Sequence, residues 1–245
     1  MRRNRTSEFV RSLISENRLN AHDLIQPIFV TEGKDVKDPI ESMPGMDRLS
    51  LDLAVEKCKA LSHLNIPAVA VFPVVETSKK SPEGSESFNP RGLIQRAVRN
   101  IKKSVPDIGL ISDVALDPFT SHGHDGILNE NGDILNDETI EILIKQSLSL
   151  AEAGADVLAP SDMMDGRVSL IRKSLDEKGY ENVKILSYAA KYASAFYGPF
   201  RDAVGSKNQL RNSDKKTYQM DPANSDEALR EVALDLEEGA DMVMI

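Results

Sequence analysis

A (β/α)8 barrel is the fold class that this sequence predicts, and three observations favour it. Short apolar, β-branched runs alternate with amphipathic stretches along the whole chain. Each run is nearly continuous in apolar residues, as expected of parallel strands that are buried on both faces. No glycine-rich phosphate-binding loop follows the first run, which argues against the main alternative, an open doubly wound sheet.

Six runs are predicted to be strands, at residues 24–30, 68–75, 108–116, 156–160, 183–189 and 241–245. Helices are predicted over residues 52–63, 91–103, 137–153, 165–178 and 225–238, several of them opened by Asp or Ser in a capping position. A Gly-Ala-Asp pattern recurs at Gly154 and Gly239, where a left-handed glycine would end a helix just before a strand. A complete barrel has eight strands. We therefore expect strands 7 and 8 to be missing from a C-terminally truncated chain.

Residues 1–23 precede the first predicted strand and are basic and partly amphipathic. They are predicted to form an N-terminal arm, and both packing on another subunit and a disordered terminus stay open. Residues 24–245 would form the incomplete TIM-barrel catalytic domain. Within it, the long polar segments 76–90 and 198–224 follow strands, where barrel enzymes place substrate loops and lids.

The composition indicates an ordinary globular protein, with 40% hydrophobic and 28% charged residues among 245. A net charge of −9 disfavours nucleic acid as a partner. The single cysteine, Cys58, excludes an intramolecular disulfide and a cysteine-rich zinc site, and it favours a cytoplasmic location. No apolar run is long enough for a membrane span, and no signal-peptide core follows the N-terminus.

Lys191 follows the fifth predicted strand, where a barrel would hold its amine at the catalytic mouth. Partial burial disfavours the ammonium form, and a neutral amine can attack a ketone to form an imine. From position alone, a surface lysine at a strand end is the alternative. Aromatic residues and Arg201 come next, and suit a small acidic substrate, although Arg201 could instead pair with Asp202. Three more cations follow in the same loop: Arg211, Lys215 and Lys216.

Two further polar segments leave predicted strands. Residues 113–126 hold three carboxylates and two imidazoles, a set that would favour a hard ion such as Mg²⁺ over zinc or would form an ordinary solvated turn. Residues 159–167 place Ser161 and Asp162 at the carboxyl end of the fourth strand. Asp162 or Asp165 could also cap the following helix.

Residues 113–126, 159–167 and 187–205 together resemble the 5-aminolevulinate dehydratase (porphobilinogen synthase) family. The similarity covers the whole chain, and the third segment, from Ser187 to Gly205, is the most specific. The resemblance implies a TIM-barrel lyase that condenses two 5-aminolevulinate molecules to porphobilinogen through lysine Schiff bases, in the synthesis of heme and other tetrapyrroles. Another class I Schiff-base aldolase and a non-catalytic assembly subunit remain alternatives.

By the same resemblance, Lys191 is the lysine that forms an imine with the acetyl-side substrate. The residues that the resemblance implies for substrate binding are Arg201, Lys215, Gln219, Ser161, Tyr188, Asp113 and Asp117. A second imine-forming lysine belongs to a motif that begins with Met242-Val243-Met244-Ile245. Its expected position is 246, so we expect this chain alone to be inactive.

Zinc-dependent members of the family carry cysteines at the positions of Ala115, Asp117 and Asp125. The resemblance therefore implies no catalytic zinc and the magnesium-responsive bacterial type. In that type Mg²⁺ lies away from the chemistry and favours a homo-octamer. The allosteric ligand matches Glu231, and Asp162 would approach the hydrated ion. Without the resemblance, Glu231 reads as a solvated helix charge.

Overall fold

The structure is a computed structural model, and it describes residues 1–206, 210 and 214–245. The strands are β1 Ile25–Thr31, β2 Lys37–Pro39, β3 Asp47–Ser50, β4 Ala68–Pro73, β5 Gly109–Val114, β6 Ile127–Leu128, β7 Ile134–Leu135, β8 Val157–Pro160, β9 Lys184–Tyr188 and β10 Met242–Met244. The α-helices are α1 Glu8–Leu13, α2 Leu51–His63, α3 Leu93–Ser104, α4 Asn136–Ala153, α5 Arg167–Glu177, α6 Gly198–Ala203 and α7 Ser225–Glu237. The six predicted strands and the five predicted helices are confirmed, with shifted ends.

The main sheet has the strand order β10-β9-β8-β5-β4-β1-β3-β2. From β1 to β10 the six predicted strands are parallel, and each lies beside its neighbour in the chain. This is how successive strands are arranged in a β/α barrel. Because parallel strands share one carboxyl edge, the segments that follow β5, β8 and β9 meet at that edge.

Two short strands that the sequence did not indicate extend the sheet beyond β1. β3 pairs in parallel with β1 and antiparallel with β2. β2 is an exposed Lys-Asp-Pro segment, which lacks both the apolar alternation and the β-branched residues of a strand. The two-residue strands β6 and β7 form a separate antiparallel hairpin that was also missed.

Alternate strand residues face two different cores, which explains why the strands are apolar throughout. Leu110, Leu158 and Ile185 pack with helical side chains in the main core, whereas Ile111 and its neighbours in β8 and β9 pack on the other face. Cys58 lies in the main core without exposed surface, and burial raises the pKa of its thiol to about 11. It is therefore a packing residue.

The two Gly-Ala-Asp connections have the same geometry, as predicted. Gly154 and Gly239 take left-handed φ values of 105° and 106°. The Oδ2 atom of Asp156 accepts a hydrogen bond from the Leu110 amide at 2.8 Å, and that of Asp241 accepts one from the Ile185 amide at 2.8 Å. Each aspartate therefore ties the start of its own strand to the preceding one.

The predicted capping of α5 by Asp162 or Asp165 is wrong. The N-cap is Gly166, which has no side chain to offer, and the helix begins at Arg167 rather than at residue 165. The Oδ1 atom of Asp162 accepts from the Met164 amide at 2.8 Å, and the Asp165 amide donates to Asn136 at 2.8 Å. Both aspartates are engaged in the loop that precedes the helix.

Residues 1–23 contain α1 between two short 3₁₀ turns, Arg2–Arg5 and Ala21–Asp23, and none of the residues in these three elements is buried. Phe9, Leu13 and Leu19 expose most of their surface. The arm and its packing on another subunit stay a prediction. Among the residues that the structure describes, no helix has the length and apolar character needed to cross a membrane.

Candidate active site

Lys191 lies three residues beyond the end of β9, and its side chain is buried, with 7% of the residue exposed. Its Nζ donates a hydrogen bond to the backbone carbonyl oxygen of Ser161 at 2.6 Å and lies 5.6 Å from the centroid of the Tyr197 ring. In the described part of the chain, no carboxylate forms an ion pair with this amine. The strand-end position predicted from the sequence is confirmed, and the alternative of a surface lysine is wrong.

Ser161 and Asp113 connect the amine to a carboxyl group. The Ser161 hydroxyl donates to Asp113 Oδ1 at 2.7 Å, while the carbonyl of the same serine accepts from Lys191. Burial raises the pKa of Asp113 to about 7. The positive charge of Lys191 opposes this rise, and the negative charges of nearby carboxylates add to it. A carboxyl group that exchanges its proton near neutral pH therefore lies beside the lysine.

Lys215 is the second buried lysine, and two carboxylates surround it. Its Nζ lies 2.9 Å from Asp125 Oδ1 and 3.3 Å from Asp117 Oδ2, and all three side chains are buried. Burial alone would lower the pKa of Lys215, but the two carboxylates outweigh it and raise that pKa. Burial would also raise the pKa of Asp125, yet the positive charges of Lys215 and Lys191 bring it below its ordinary value. For Asp117 burial prevails, and its pKa is raised.

Three more of the expected substrate-binding residues are Tyr188, Gln219 and Arg201. Burial and the charge of Asp113 raise the pKa of Tyr188, which therefore remains a neutral phenol. Gln219 is 5% exposed, and within the described residues its Oε1 has no hydrogen-bond partner. Arg201 lies on α6 and is half-buried.

The ion pair between Arg201 and Asp202 that the sequence left open is not found among the described residues. Asp202 instead accepts a hydrogen bond from the Ser42 hydroxyl at 2.5 Å. Arg211, which was grouped with the cations of this loop, lies outside the described residues. Lys216 is exposed and pairs with Asp214 at 3.6 Å, away from Lys215's carboxylates.

Tyr197 belongs to the aromatic segment that the sequence associated with the substrate, whereas Tyr218 was missed by sequence reasoning. Tyr197 places its ring over the Lys191 amine, and the Tyr218 hydroxyl lies 3.2 Å from His124 Nδ1 and accepts from the Asp125 amide at 3.3 Å. The only available signal was proximity in sequence, since Tyr218 stands between two predicted site residues, 215 and 219.

Glu231 lies apart from Lys191, on α7. It lines a groove with Asp165, Glu227 and Asp235. Burial, followed by repulsion from Asp165 and Asp235, raises the pKa of Glu231. No three Asp, Glu, His or Cys side chains in the described ranges lie close enough to hold a metal ion.

Asp162 has no exposed surface and faces Arg167 rather than the groove, with its Oδ2 at 3.5 Å from Arg167 Nε. Burial raises the pKa of Asp162 to about 6, and the guanidinium opposes that rise. Arg167 also contacts Asp235 at 3.3 Å and donates to Ser187 Oγ at 3.0 Å and to the Tyr188 carbonyl at 3.3 Å. One buried arginine therefore links α7 to β9.

Comparison with known proteins identifies the family of this chain. Residues 1–245 match the family model for delta-aminolevulinic acid dehydratase. The chain is 57% identical to delta-aminolevulinic acid dehydratase of Bradyrhizobium diazoefficiens, covering 100% of this chain and 69% of that protein. It is 48% identical to the dehydratase of Rhodobacter capsulatus, covering 100% of this chain and 73% of that one.

A solved structure shows the same fold. The delta-aminolevulinic acid dehydratase (porphobilinogen synthase) of Toxoplasma gondii, in complex with the reaction product porphobilinogen, is 50% identical and superposes with a TM-score of 0.97. The match covers 100% of this chain and 69% of that one. The parallel sheet is thus part of a TIM barrel, and the chain belongs to the delta-aminolevulinic acid dehydratase family of lyases.

Proposed function

We propose that this protein catalyses the porphobilinogen synthase reaction, in which two 5-aminolevulinate molecules condense with loss of water during tetrapyrrole synthesis. The observation that carries the proposal is the buried Lys191 amine, which is bonded to a neutral carbonyl oxygen and linked through Ser161 to Asp113. A buried amine without a carboxylate partner suits attack on a ketone. The Toxoplasma gondii relative was solved with porphobilinogen, the product of this reaction.

The chemistry at Lys191 requires two proton transfers. The lysine first loses a proton, and its neutral nitrogen attacks the substrate ketone to form a carbinolamine. The carbinolamine hydroxyl then takes up a proton and leaves as water, which produces the imine. Asp113 is the candidate to accept the first proton and to return one, because burial raises its pKa to about 7 and both forms then exist near neutral pH. The imine makes the adjacent carbon acidic, which prepares carbon–carbon bond formation.

The charges of the site suit both ends of 5-aminolevulinate. Lys215 with Asp117 and Asp125 forms a buried cluster in which two carboxylates face one ammonium. We infer that this cluster receives the amino group of a substrate molecule. The charges of Lys215 and Lys191 favour the ionised form of Asp125, whereas burial raises the pKa of Asp117. Arg201, which offers a planar pair of donors, is then the candidate for the substrate carboxylate. Gln219 and Tyr188 contribute neutral hydrogen-bonding groups.

We also propose Mg²⁺ at Glu231, as an allosteric ion distant from the amine. The support is electrostatic, since burial and then repulsion from Asp165 and Asp235 raise the pKa of Glu231, and a cation in the groove would relieve that repulsion. A divalent ion binds hard oxygen ligands and keeps several waters, which fits a groove with one half-buried carboxylate. Arg167 connects Asp235 to β9. We further propose a homo-octamer, with the exposed apolar residues of α1 as subunit contacts.

A product assay tests the proposed function. The protein expressed from its complete gene, given 5-aminolevulinate as the only substrate, is expected to form porphobilinogen, which a pyrrole colour reaction detects. Lys191→Met, which removes the nucleophile, is expected to form none. Absence of pyrrole with the intact protein, or an unchanged rate in the Lys191→Met variant, would contradict the proposal. Offering pyruvate with an aldehyde distinguishes an aldolase, and no carbon–carbon product is expected.

A further inference from the structure

α6, which carries Arg201, is a short helix whose end is closed by its own backbone. Gly205 has a left-handed φ of 69°, and its amide donates to the Asp202 carbonyl at 3.1 Å. The Ser206 amide donates to the Arg201 carbonyl at 3.0 Å. These two bonds are the Schellman motif. The last carbonyl of the helix, that of Ala203, is left for a partner outside it.

That partner is Arg48, which lies in β3, more than 150 residues earlier in the chain. Its Nε donates to the Ala203 carbonyl at 2.9 Å, and its Nη2 donates to the Asp202 carbonyl at 2.8 Å. Its Nη1 bonds to Asp38 Oδ2 of β2 at 2.8 Å. A cation at a helix C-terminus is favourable, and the planar guanidinium fixes the orientation of all three acceptors.

The other side of α6 is also fixed by the region around β1 and β4. The ring of Phe200 packs edge-on against Phe72 with centroids 5.1 Å apart, and it lies 6.1 Å from Phe29. The Ser42 hydroxyl bonds to Asp202. The position of α6 therefore depends on β3 and its neighbours, rather than only on the segment that joins it to Lys191.

Arg201 lies four residues after Tyr197, which is the N-cap of α6, and residues at this spacing are neighbours on a helix. The charge of Arg201 reaches Tyr197, where it partly offsets the rise in the phenol's pKa that burial causes. The ring of Tyr197 in turn faces the Lys191 amine at 5.6 Å. A displacement of α6 would move the Arg201 guanidinium relative to the amine that forms the imine.

We propose that Arg48 is a positioning residue: by holding the last two carbonyls of α6, it places Arg201 to bind the substrate carboxylate. This inference rests on the proposed function and deepens it. Arg48 itself does not touch the substrate. Its loss should weaken substrate binding while leaving the chemistry at Lys191 largely intact, because the hydrogen bonds that join Lys191, Ser161 and Asp113 do not involve α6.

Steady-state kinetics of Arg48→Met, in the protein expressed from its complete gene, tests the proposal. We expect KM for 5-aminolevulinate to rise about tenfold or more, with kcat changed by less than about threefold, since misplacement of a binding group costs affinity first. Arg48→Lys keeps one charged donor and should give an intermediate KM. If Arg48→Met does not fold, Arg48→Lys still tests the proposal, because an unchanged KM in that variant overturns it.

Arg172 provides a matched control. Like Arg48, it bonds two backbone carbonyls, those of Val183 and Tyr180, and an aspartate, Asp176. The two arginine side chains are similarly exposed, at 18% and 17%. Arg172→Met should lower Tm about as much as Arg48→Met but leave KM unchanged. An equal rise in KM for both variants would show a general loss of structure and would overturn the proposal.

A double variant shows whether Arg48 acts through Arg201. If it does, the double variant Arg48→Met, Arg201→Lys should have a KM no higher than that of Arg201→Lys alone. A KM raised by the product of the two single-variant increases would overturn the inference. The proposed function fails separately, if the unaltered protein forms no porphobilinogen or if Arg201→Lys leaves KM unchanged. A wild-type KM in the Arg48 variants, with Arg201→Lys impaired, overturns only the role of Arg48.

Discussion

The two buried lysines at the carboxyl edge of the sheet differ in their partners. Lys191 bonds to one neutral carbonyl oxygen, whereas Lys215 lies between two carboxylates that raise its pKa. Both are less than a tenth exposed, so burial alone does not distinguish them. The partners do: two carboxylates form ion pairs with Lys215, whereas among the described residues none does so with Lys191, which is therefore the candidate nucleophile. Burial identifies candidate lysines, and the charges around them assign the roles.

The largest expected effect is on activity at Lys191. Lys191→Arg keeps the positive charge but cannot form an imine, because a guanidinium does not lose its proton. We expect porphobilinogen formation to fall by about a thousandfold or more. Initial-rate assays check this, with far-UV circular dichroism as the control for folding. Activity retained within about tenfold would mean that another amine performs the chemistry.

Loss of Lys215 should lower the free energy of unfolding more than loss of Lys191 does, although Lys191 matters more for activity. Lys215→Met leaves Asp117 and Asp125 buried without their cation, which typically costs about 3–5 kcal/mol in free energy of unfolding. Lys191→Met removes one hydrogen bond to a carbonyl and the contact with the Tyr197 ring, at about 1–3 kcal/mol together. Urea unfolding measures both. Adding Asp125→Asn to Lys215→Met should recover part of the loss, and equal losses in the two single variants would remove the distinction.

The pH dependence should follow Asp113. Above pH about 7 its carboxylate accepts the proton from Lys191, so kcat should rise with pH through that value. Stability should move the other way. The folded-state pKa of about 7 exceeds the ordinary value of 3.8, so the native state binds more protons than the unfolded state between these values. Asp113 therefore lowers the free energy of unfolding as pH rises from about 4 to 7.

Asp113→Asn separates these two effects. The variant cannot titrate, so the acidic limb of the kcat profile should disappear along with most of the activity. The fall in stability over the same pH range should become shallower. An unchanged acidic limb in a variant that remains active would assign the limb to another group.

The smallest effect is expected at Glu231, outside the lysine cluster. Glu231→Gln should abolish the rise in Tm that Mg²⁺ produces, because it removes the carboxylate proposed to bind the ion. Without Mg²⁺, the variant should be slightly more stable, by less than about 1 kcal/mol, since repulsion from Asp165 and Asp235 is removed. Thermal melts with and without MgCl₂ measure both. Glu227→Gln, in the same groove, is the control and should keep most of the response.

Much of the barrel could be predicted because its signals are local and periodic. The apolar runs that became β5, β8 and β9 needed only their composition, and Gly154 and Gly239 marked helix ends because left-handed backbone favours glycine. β2 and β3 could not be predicted in this way. Both are short and charged. β3 is stabilised by pairing with β1, and β2 by pairing with β3, and no local pattern encodes these contacts.

The same distinction between local sequence signals and tertiary contacts applies to the residues of the site. Lys191 was predictable, since its position after a buried strand decides where its amine lies. The partners of Lys215 were not, because Asp117 and Asp125 are about 90 residues or more away and a lysine in a polar loop looks like any exposed cation. For Arg201, the sequence suggested an ion pair with Asp202. In the structure Asp202 instead accepts a hydrogen bond from Ser42, and Arg48 holds the end of the helix. Such contacts require the tertiary structure.

Borohydride trapping tests the distinction between the two lysines most directly. The protein expressed from its complete gene is incubated with 5-aminolevulinate, reduced, digested and analysed by peptide mass spectrometry. We predict that the reduced substrate adduct will be found on Lys191 and not on Lys215. An adduct on Lys215, or an unmodified Lys191 in protein that is turning over, would contradict the assignment of nucleophile and fixed cation.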